Sequence, residues 1–310
     1  MSRLGVIANG RSWRAAKGGA PRRPAGVPFE APGDLNGYAP ALARLKAAGV
    51  DTLAVVGGDG TLREVMSALP SAYGASPPAL ALAPFGKTNA AAADVGGCGH
   101  GPDALERLAG ALASGVPLKR SERRPIAARF DGRAVQGFVL GFGAFERATR
   151  MVDSRVHSRG FAQRLGVAFG VAEAARELLT GREGAGWRQG VAAAVAADGA
   201  EASDDDRFFF LATSLRRFML GLWPFWGEGE GAIAWTDVSA PPHRLASALL
   251  PAARGRATDW MRANGYRSGR ANRIDVALRA PFIIDGDSFS AGADGRIAIQ
   301  AGAPLTFLAP

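Results

Sequence analysis

The segment Gly57-Gly58-Asp59-Gly60-Thr61 combines residues suited to holding phosphate with one that would repel it. Glycine admits backbone conformations closed to other residues and lets a ligand approach the main chain unobstructed. Amides at the start of a following helix favour phosphate, and the helix dipole assists them. Asp59 makes sense in such a loop where a divalent cation bridges its carboxylate to a nucleotide. Read blandly, the segment is a tight turn with a capping aspartate. Its place between the apolar run Thr52–Val56 and the helical pattern Leu62–Leu69 favours the phosphate loop.

A second loop, Pro84-Phe85-Gly86-Lys87-Thr88-Asn89, follows the strand pattern Leu80–Ala83 and opens another helix. Gly86 permits close approach, Lys87 brings a positive charge, and Thr88 and Asn89 bring hydrogen-bonding groups. Taken alone it is a strand-to-helix turn capped by Thr88 or Asn89. At the same sheet edge as Asp59, it becomes a second phosphate contact. Asn9 and Gly10 close the first strand pattern, Leu4–Ala8, and would complete the ring. Arg11, Arg14 and Lys17 follow closely, although solvated loop cations are their default. Near the far end, Asp285-Gly286-Asp287 reads from its residues alone as a common turn.

The elements that must position these loops repeat as strand, loop and helix. Helices are expected at Leu35–Ala48, with Asp34 as N-cap and Gly49 as stop, and at Leu62–Leu69, ending before Pro70. Two more are expected at Asn89–Val95 and Asp103–Ser114. This alternation predicts a parallel sheet with crossover helices, whose ligands gather at the carboxyl ends of the strands. Strands buried on both faces also explain runs that are continuously apolar.

The pattern changes after about Arg120. Strands are expected at Ile126–Phe130, Val135–Phe142, Val191–Ala197, Phe208–Ala212, Ile233–Val238, Ile274–Leu278 and Ile297–Ile299. The turn dipeptides Asp131-Gly132, Asp198-Gly199 and Asp294-Gly295 punctuate them, which predicts a mainly antiparallel domain. Helices are expected within it at Leu165–Leu179 and Leu245–Ala253. The expected organisation is an α/β domain over 1–122 and an antiparallel domain over 123–299. Residues 300–310 are a candidate to return to the first.

With 47% apolar and 21% charged residues, the chain has the makings of a globular protein rather than a disordered one. Its 37 Lys and Arg against 28 Asp and Glu give a net charge of +9, which favours an anionic partner. An Ala, Gly and Arg-rich composition is the plainer source of the same excess. No helix-turn-helix, zinc or aromatic RNA motif supports nucleic acid. Cys98 is the single cysteine, and His100, His157 and His243 lack metal-ligand spacing, so disulfide and zinc-hydrolase chemistry are poor expectations. The first residues carry no signal-peptide apolar stretch. The most apolar window, Phe208–Trp226, is broken by Arg216, Arg217 and Pro224, which argues against a bilayer span. A cytoplasmic protein is expected. Phe218–Trp226, rich in aromatics and flanked by arginine, suits a membrane interface or an acyl-chain entrance, with ordinary core as the alternative.

The run Val55–Val65, which contains Gly57 to Thr61, closely resembles the nucleotide loop of diacylglycerol kinases, sphingosine kinases and related bacterial lipid kinases. Asn9 is similar to the asparagine that closes their first strand, and Pro84–Asn89 to their Pro-x-Gly-Thr-x-Asn loop. Pro281–Asp287 is similar to their late Asp-Gly-Glu. The resemblance runs through most of the chain in the same order. It implies a doubly wound, Rossmann-like domain of the NAD kinase and diacylglycerol kinase type, followed by a β-sandwich, with ATP and Mg²⁺ used at a cleft between them.

By the same resemblance Asn9, Gly57, Gly58, Asp59, Gly60, Thr61, Gly86, Lys87, Thr88 and Asn89 would hold the nucleotide. Asp59 would also serve catalysis and the metal. Asp287 would be the general base toward a lipid hydroxyl, its reach one methylene shorter than the family's glutamate. Glu230, in Glu228-Gly229-Glu230-Gly231, is the nearest match to a second metal carboxylate, and Glu122 is a weaker candidate where the domains meet. Lys87 and Thr88 depart from the family's usual Thr and Gly. The expected substrate is diacylglycerol or a related lipid alcohol, met at the inner, anionic face of the membrane, with a homodimer left open. The alternatives are an NAD kinase, which shares the Gly-Gly-Asp-Gly-Thr loop, and an inactive lipid- or nucleotide-binding regulator.

Overall fold

The computed structural model describes residues 3–10, 21–86, 88–99, 101–159, 176–177, 186–203, 205–218 and 221–310. Arg11, Arg14, Lys17, Lys87 and most of the expected helix Leu165–Leu179 lie outside the described residues. The chain forms two compact units, Met1–Pro125 with Ala303–Pro310, and Ile126–Gly302.

In the first unit β1 (Leu4–Ala8), β2 (Phe29–Glu30), β3 (Thr52–Gly57), β4 (Ala79–Pro84) and β5 (Lys119–Arg123) are threaded by helices. These are α1 (Tyr38–Ala47), α2 (Asp59–Tyr73), α3 (Ala90–Val95) and α4 (Ala104–Ala113). β1 pairs in parallel with β2 and β3, and β3 with β4. The Asp34 carboxylate accepts from the Gly37 amide at 3.0 Å and starts a short 3₁₀ turn before α1. Gly49, at φ 77°, follows the helix as its stop.

α2 does not end before Pro70 but runs on to Tyr73, carrying the proline inside it. Tyr73 is buried, and its hydroxyl donates to the Val50 carbonyl. That anchorage offsets the hydrogen bond the proline cannot donate. Helices cover both sheet faces. Leu45 of α1 lies against β1 at Gly5, while Val6, Ala54 and Ala81 on the opposite face pack with Leu105 and Leu108 of α4. This is the doubly wound arrangement expected.

The second unit contains β6 (Ile126–Phe130), β7 (Arg133–Gly137), β8 (Val139–Gly143), β9 (Val191–Ala197), β10 (Asp206–Thr213) and β11 (Ile233–Ser239). It continues with β12 (Tyr266–Ala271), β13 (Arg273–Leu278), β14 (Phe282–Ile284), β15 (Asp287–Phe289) and β16 (Arg296–Ala301). The helices α5 (Ala144–Arg159), α6 (Leu245–Ala253) and α7 (Asp259–Ala263) join them. Every strand pair in this unit is antiparallel. One half runs β15-β14-β8-β10-β11-β12 and the other β9-β13-β16-β6-β7, joined where Val191 meets Arg207. Phe130, Phe142, Phe210, Ile274, Phe282 and Ile299 bring both halves into one core.

The expected strand Val135–Phe142 is broken at Phe138. β7 pairs with β6, whereas β8 pairs with β10 and β14, so the chain changes halves there. Asp131-Gly132 and Asp198-Gly199 take positive φ at both residues, as tight hairpin turns demand. β17 (Leu305–Ala309) then returns to the first sheet, parallel to β4 and antiparallel to β5, giving the order β2-β1-β3-β4-β17-β5. Because β5 pairs with β17, the units divide at Pro125 rather than at 122, and the first resumes at Ala303.

Candidate functional site

Two glycine loops leave neighbouring parallel strands at one level. Gly57 pairs with Pro84 in the β3–β4 register, and the Phe85 amide donates to the Gly57 carbonyl at 2.9 Å. Ala8 pairs with Val56, and the Asn9 amide donates to the Val56 carbonyl, which brings Asn9 to the same edge. The two loops touch through their backbones. A Cβ on Gly58 would lie 2.9 Å from the Gly86 Cα, and one on Gly86 would overlap Gly58 itself. Neither glycine has positive φ, so close approach rather than backbone freedom requires it. Gly86→Ala is therefore expected to push the loops apart, costing about 1–3 kcal/mol of stability and most nucleotide affinity. Thermal unfolding and nucleotide titration of the variant check both effects.

Asp59 begins α2, yet its carboxylate works on α3. Its two oxygens accept from the Ala90 and Ala91 amides at 2.9 and 3.1 Å. Asn89 does not cap the helix through its side chain. It stands at φ 51°, a left-handed conformation that asparagine tolerates, and its side chain brackets Gly86. The Asn89 Oδ1 accepts from the Gly86 amide at 3.0 Å, and Nδ2 donates to the Gly86 carbonyl at 2.7 Å. So the capping expected of Thr88 or Asn89 comes from Asp59, across the sheet edge. Thr88 is exposed. Thr61 is buried and hydrogen-bonds to Tyr38 of α1. Gly57, Gly58, Asp59, Pro84, Asn89 and Ala91 share the lining of one small cavity.

Burial pushes the Asp59 carboxyl above the usual carboxylate range, while backbone amides, those of Ala90 and Ala91 foremost, pull it back. The sign for stability follows. With a raised folded-state value, the contribution of Asp59 is fully present below its unfolded value and lost as pH rises through the folded one. The ionised form therefore costs the fold, and a cation beside it would remove that cost. Backbone amides meet both Asp59 oxygens, those of Ala90 and Ala91 foremost. One carboxylate with nucleotide phosphates and water is a common Mg²⁺ environment, so the residues present fit that ion. Among the described residues no three His, Cys, Asp or Glu side chains gather into a metal-binding group.

The other candidates belong to the second unit and to β5. Asp285 and Gly286, at φ 46° and 92°, form the tight turn between β14 and β15. The Asp285 carboxylate accepts from the Phe138 amide at 3.0 Å and the Val139 amide at 2.9 Å, and so pins the break between β7 and β8. Gly137 leaves room for that carboxylate. Asp287 follows at the start of β15, exposed. The paired acids thus have different settings. Asp285→Ala is expected to cost about 2–3 kcal/mol by stranding two amides, read as a lower denaturation midpoint. Glu230 is exposed in the loop before β11, and Glu122 is exposed on β5. Trp226 packs against the cluster around Leu245, Ala248 and Met261, which places it with the core.

Sequence reasoning missed two buried ion pairs. Asp94 of α3 meets Arg123 of β5 at 2.7 Å, tying the helix that Asp59 caps to the sheet. Fully buried Arg207 lies 3.1 Å from Asp237, which Arg267 also reaches at 2.7 Å. Nothing local marks such residues as buried, because charged residues ordinarily read as surface.

An α/β unit with two glycine loops at its strand ends, followed in the chain by an antiparallel unit, is a fold shared with solved structures described as diacylglycerol kinases. Residues 27–119 match the family model of the diacylglycerol kinase catalytic domain. Two solved structures from Bacillus anthracis str. Sterne share the fold. One is described as a proposed diacylglycerol kinase and is 13% identical, with 99% of this chain and 96% of that chain covered at a TM-score of 0.63. The other, described as a diacylglycerol kinase, is 13% identical over 99% and 96% of the two chains, at a TM-score of 0.58. No curated protein matches the chain significantly.

Proposed function

We propose that the protein is an ATP-dependent lipid kinase that phosphorylates a hydroxyl of diacylglycerol or a related lipid alcohol. The observation that supports this best is the backbone contact of Gly58 with Gly86, with Asp59 closing the same edge on the start of α3. Loop amides there suit the phosphates of ATP. Asn9, Gly57, Gly60, Thr61, Thr88 and Lys87 belong to the same two loops and the first strand end, and make up the proposed nucleotide set. Mg²⁺, held by Asp59, would neutralise charge on the transferring phosphoryl group.

In the proposed step the lipid hydroxyl oxygen attacks the γ-phosphorus. The bond from that phosphorus to the β–γ bridging oxygen breaks, and ADP leaves with the electron pair. Asp287 takes the hydroxyl proton as general base. Loop amides stabilise the equatorial oxygens as charge spreads over them. Among the described residues no helix is long and apolar enough to cross a membrane. Offering diacylglycerol and NAD together with γ-labelled ATP tests the acceptor. Label in the lipid is expected, and label in NAD alone would overturn the lipid assignment.

A further inference from the structure

α6 turns Leu245 and Ala248 to the core and leaves Ala246, Ser247 and Leu250 exposed on its far side. Leu250 is 59% exposed, unusual for leucine among the described residues of this unit. An aromatic segment is laid against the end of the same helix. The Trp223 amide donates to the Ala253 carbonyl at 2.8 Å, and Gly255 packs against the backbone of Trp223 and Phe225. Trp223 and Phe218 both meet the Phe225 ring edge-on, at 5.0 and 6.2 Å. Phe225 is buried, whereas Phe218 and Trp223 are half-buried.

Arginines flank these apolar groups along the chain. Arg216 and Arg217 precede Phe218, and Arg254 and Arg256 follow α6, all four exposed. None of their guanidiniums has a hydrogen-bond or ion-pair partner among the described residues. Between Arg207 and Gly227, and again between Val238 and Thr258, there is no Asp or Glu. The acids that follow are Glu228 and Glu230 on one side and Asp259, paired with Arg262 at 3.2 Å, on the other. An exposed leucine and a half-buried tryptophan, flanked along the chain by unpaired guanidiniums, match the two layers of a bilayer surface. Aromatic and aliphatic groups enter the headgroup boundary while arginines meet lipid phosphates. A nucleic acid would use the charges and leave Leu250 without a role.

We propose that Leu250, Trp223, Arg216, Arg217, Arg254 and Arg256 form the face by which the second unit docks on an anionic lipid bilayer. Its purpose rests on the lipid-kinase reading, but its test does not use activity. The full chain would be sedimented with vesicles of phosphatidylcholine, with and without phosphatidylglycerol. Wild type is expected to bind the anionic vesicles, with a blue shift of tryptophan emission. Arg254→Ala with Arg256→Ala should weaken binding about 25-fold, roughly fivefold for each charge near the surface. Leu250→Ser should weaken it about tenfold and leave the charge intact. Circular dichroism of each variant establishes that it folds.

Wild-type binding by any of these folded variants would overturn the proposal. So would equal binding to vesicles without phosphatidylglycerol, or no binding to either. Tight binding of an RNA oligomer that displaces vesicles and ignores Leu250→Ser would make the face a polyanion site instead. Phosphoryl transfer to a short-chain lipid in free solution separates the two readings. Vesicle binding without transfer would remove the kinase and keep the surface, and transfer without vesicle binding would do the reverse.

Discussion

Asp59→Ala is expected to abolish phosphoryl transfer, with a fall in turnover of about 10³-fold or more, the scale expected when a preorganised charge at the phosphates is removed. The effect on folding should be far smaller. The Ala90 and Ala91 amides lose their acceptor, which costs about 1–2 kcal/mol as for a lost helix cap. Relief of a carboxylate held in its charged form against burial works in the opposite direction. Asp59→Asn sharpens the distinction, because it removes the charge and keeps an oxygen for one of the two amides, with its NH2 facing the other. Turnover should fail in both variants while the denaturation midpoint moves by a few degrees. Should Asp59→Asn turn over at the wild-type rate, Asp59 would be only the cap that the structure already displays.

Asp287→Asn carries the second large effect. Removing the proposed general base is expected to cost about 10²–10⁴-fold in turnover, and because the change lies on β15, ATP affinity should stay within a factor of two or so. Asparagine matches aspartate in size at this exposed strand end, so stability should change by less than about 1 kcal/mol. Asp285→Ala is the matched control, with stability falling through the loss of two amide contacts. If Asp287→Asn left turnover intact, the proton would have to go elsewhere.

The glycine loops were legible because strand, Gly-rich segment and helix follow one another within a few residues. Their contact was not, since Gly58 and Gly86 meet only after β3 and β4 pair in register. The same applies to Asp59, whose residue type suggests a cap but whose capped helix begins at Ala90. β5, Lys-Arg-Ser-Glu-Arg, reads as a solvated charge run and becomes a strand because β17 arrives from the far end of the sequence. Pro70 ordinarily ends a helix, and the buried Tyr73 overrides it. Asp285 and Asp287 are indistinguishable as an acid pair. Left-handed backbone and the amides of Phe138 and Val139 single out the first as structural. Local pattern therefore specified most elements, and contacts between distant segments specified which polar residues do what.

The most direct measurement is transfer of label from γ-labelled ATP with Mg²⁺ into a panel of lipid alcohols in mixed micelles, run side by side with Asp59→Asn. Diacylglycerol, monoacylglycerol, a long-chain base and an isoprenoid alcohol would make up the panel. Label in one of these lipids with wild type, and none with folded Asp59→Asn, is the predicted result. No transfer to any lipid by a wild-type protein that binds ATP would contradict the lipid-kinase assignment.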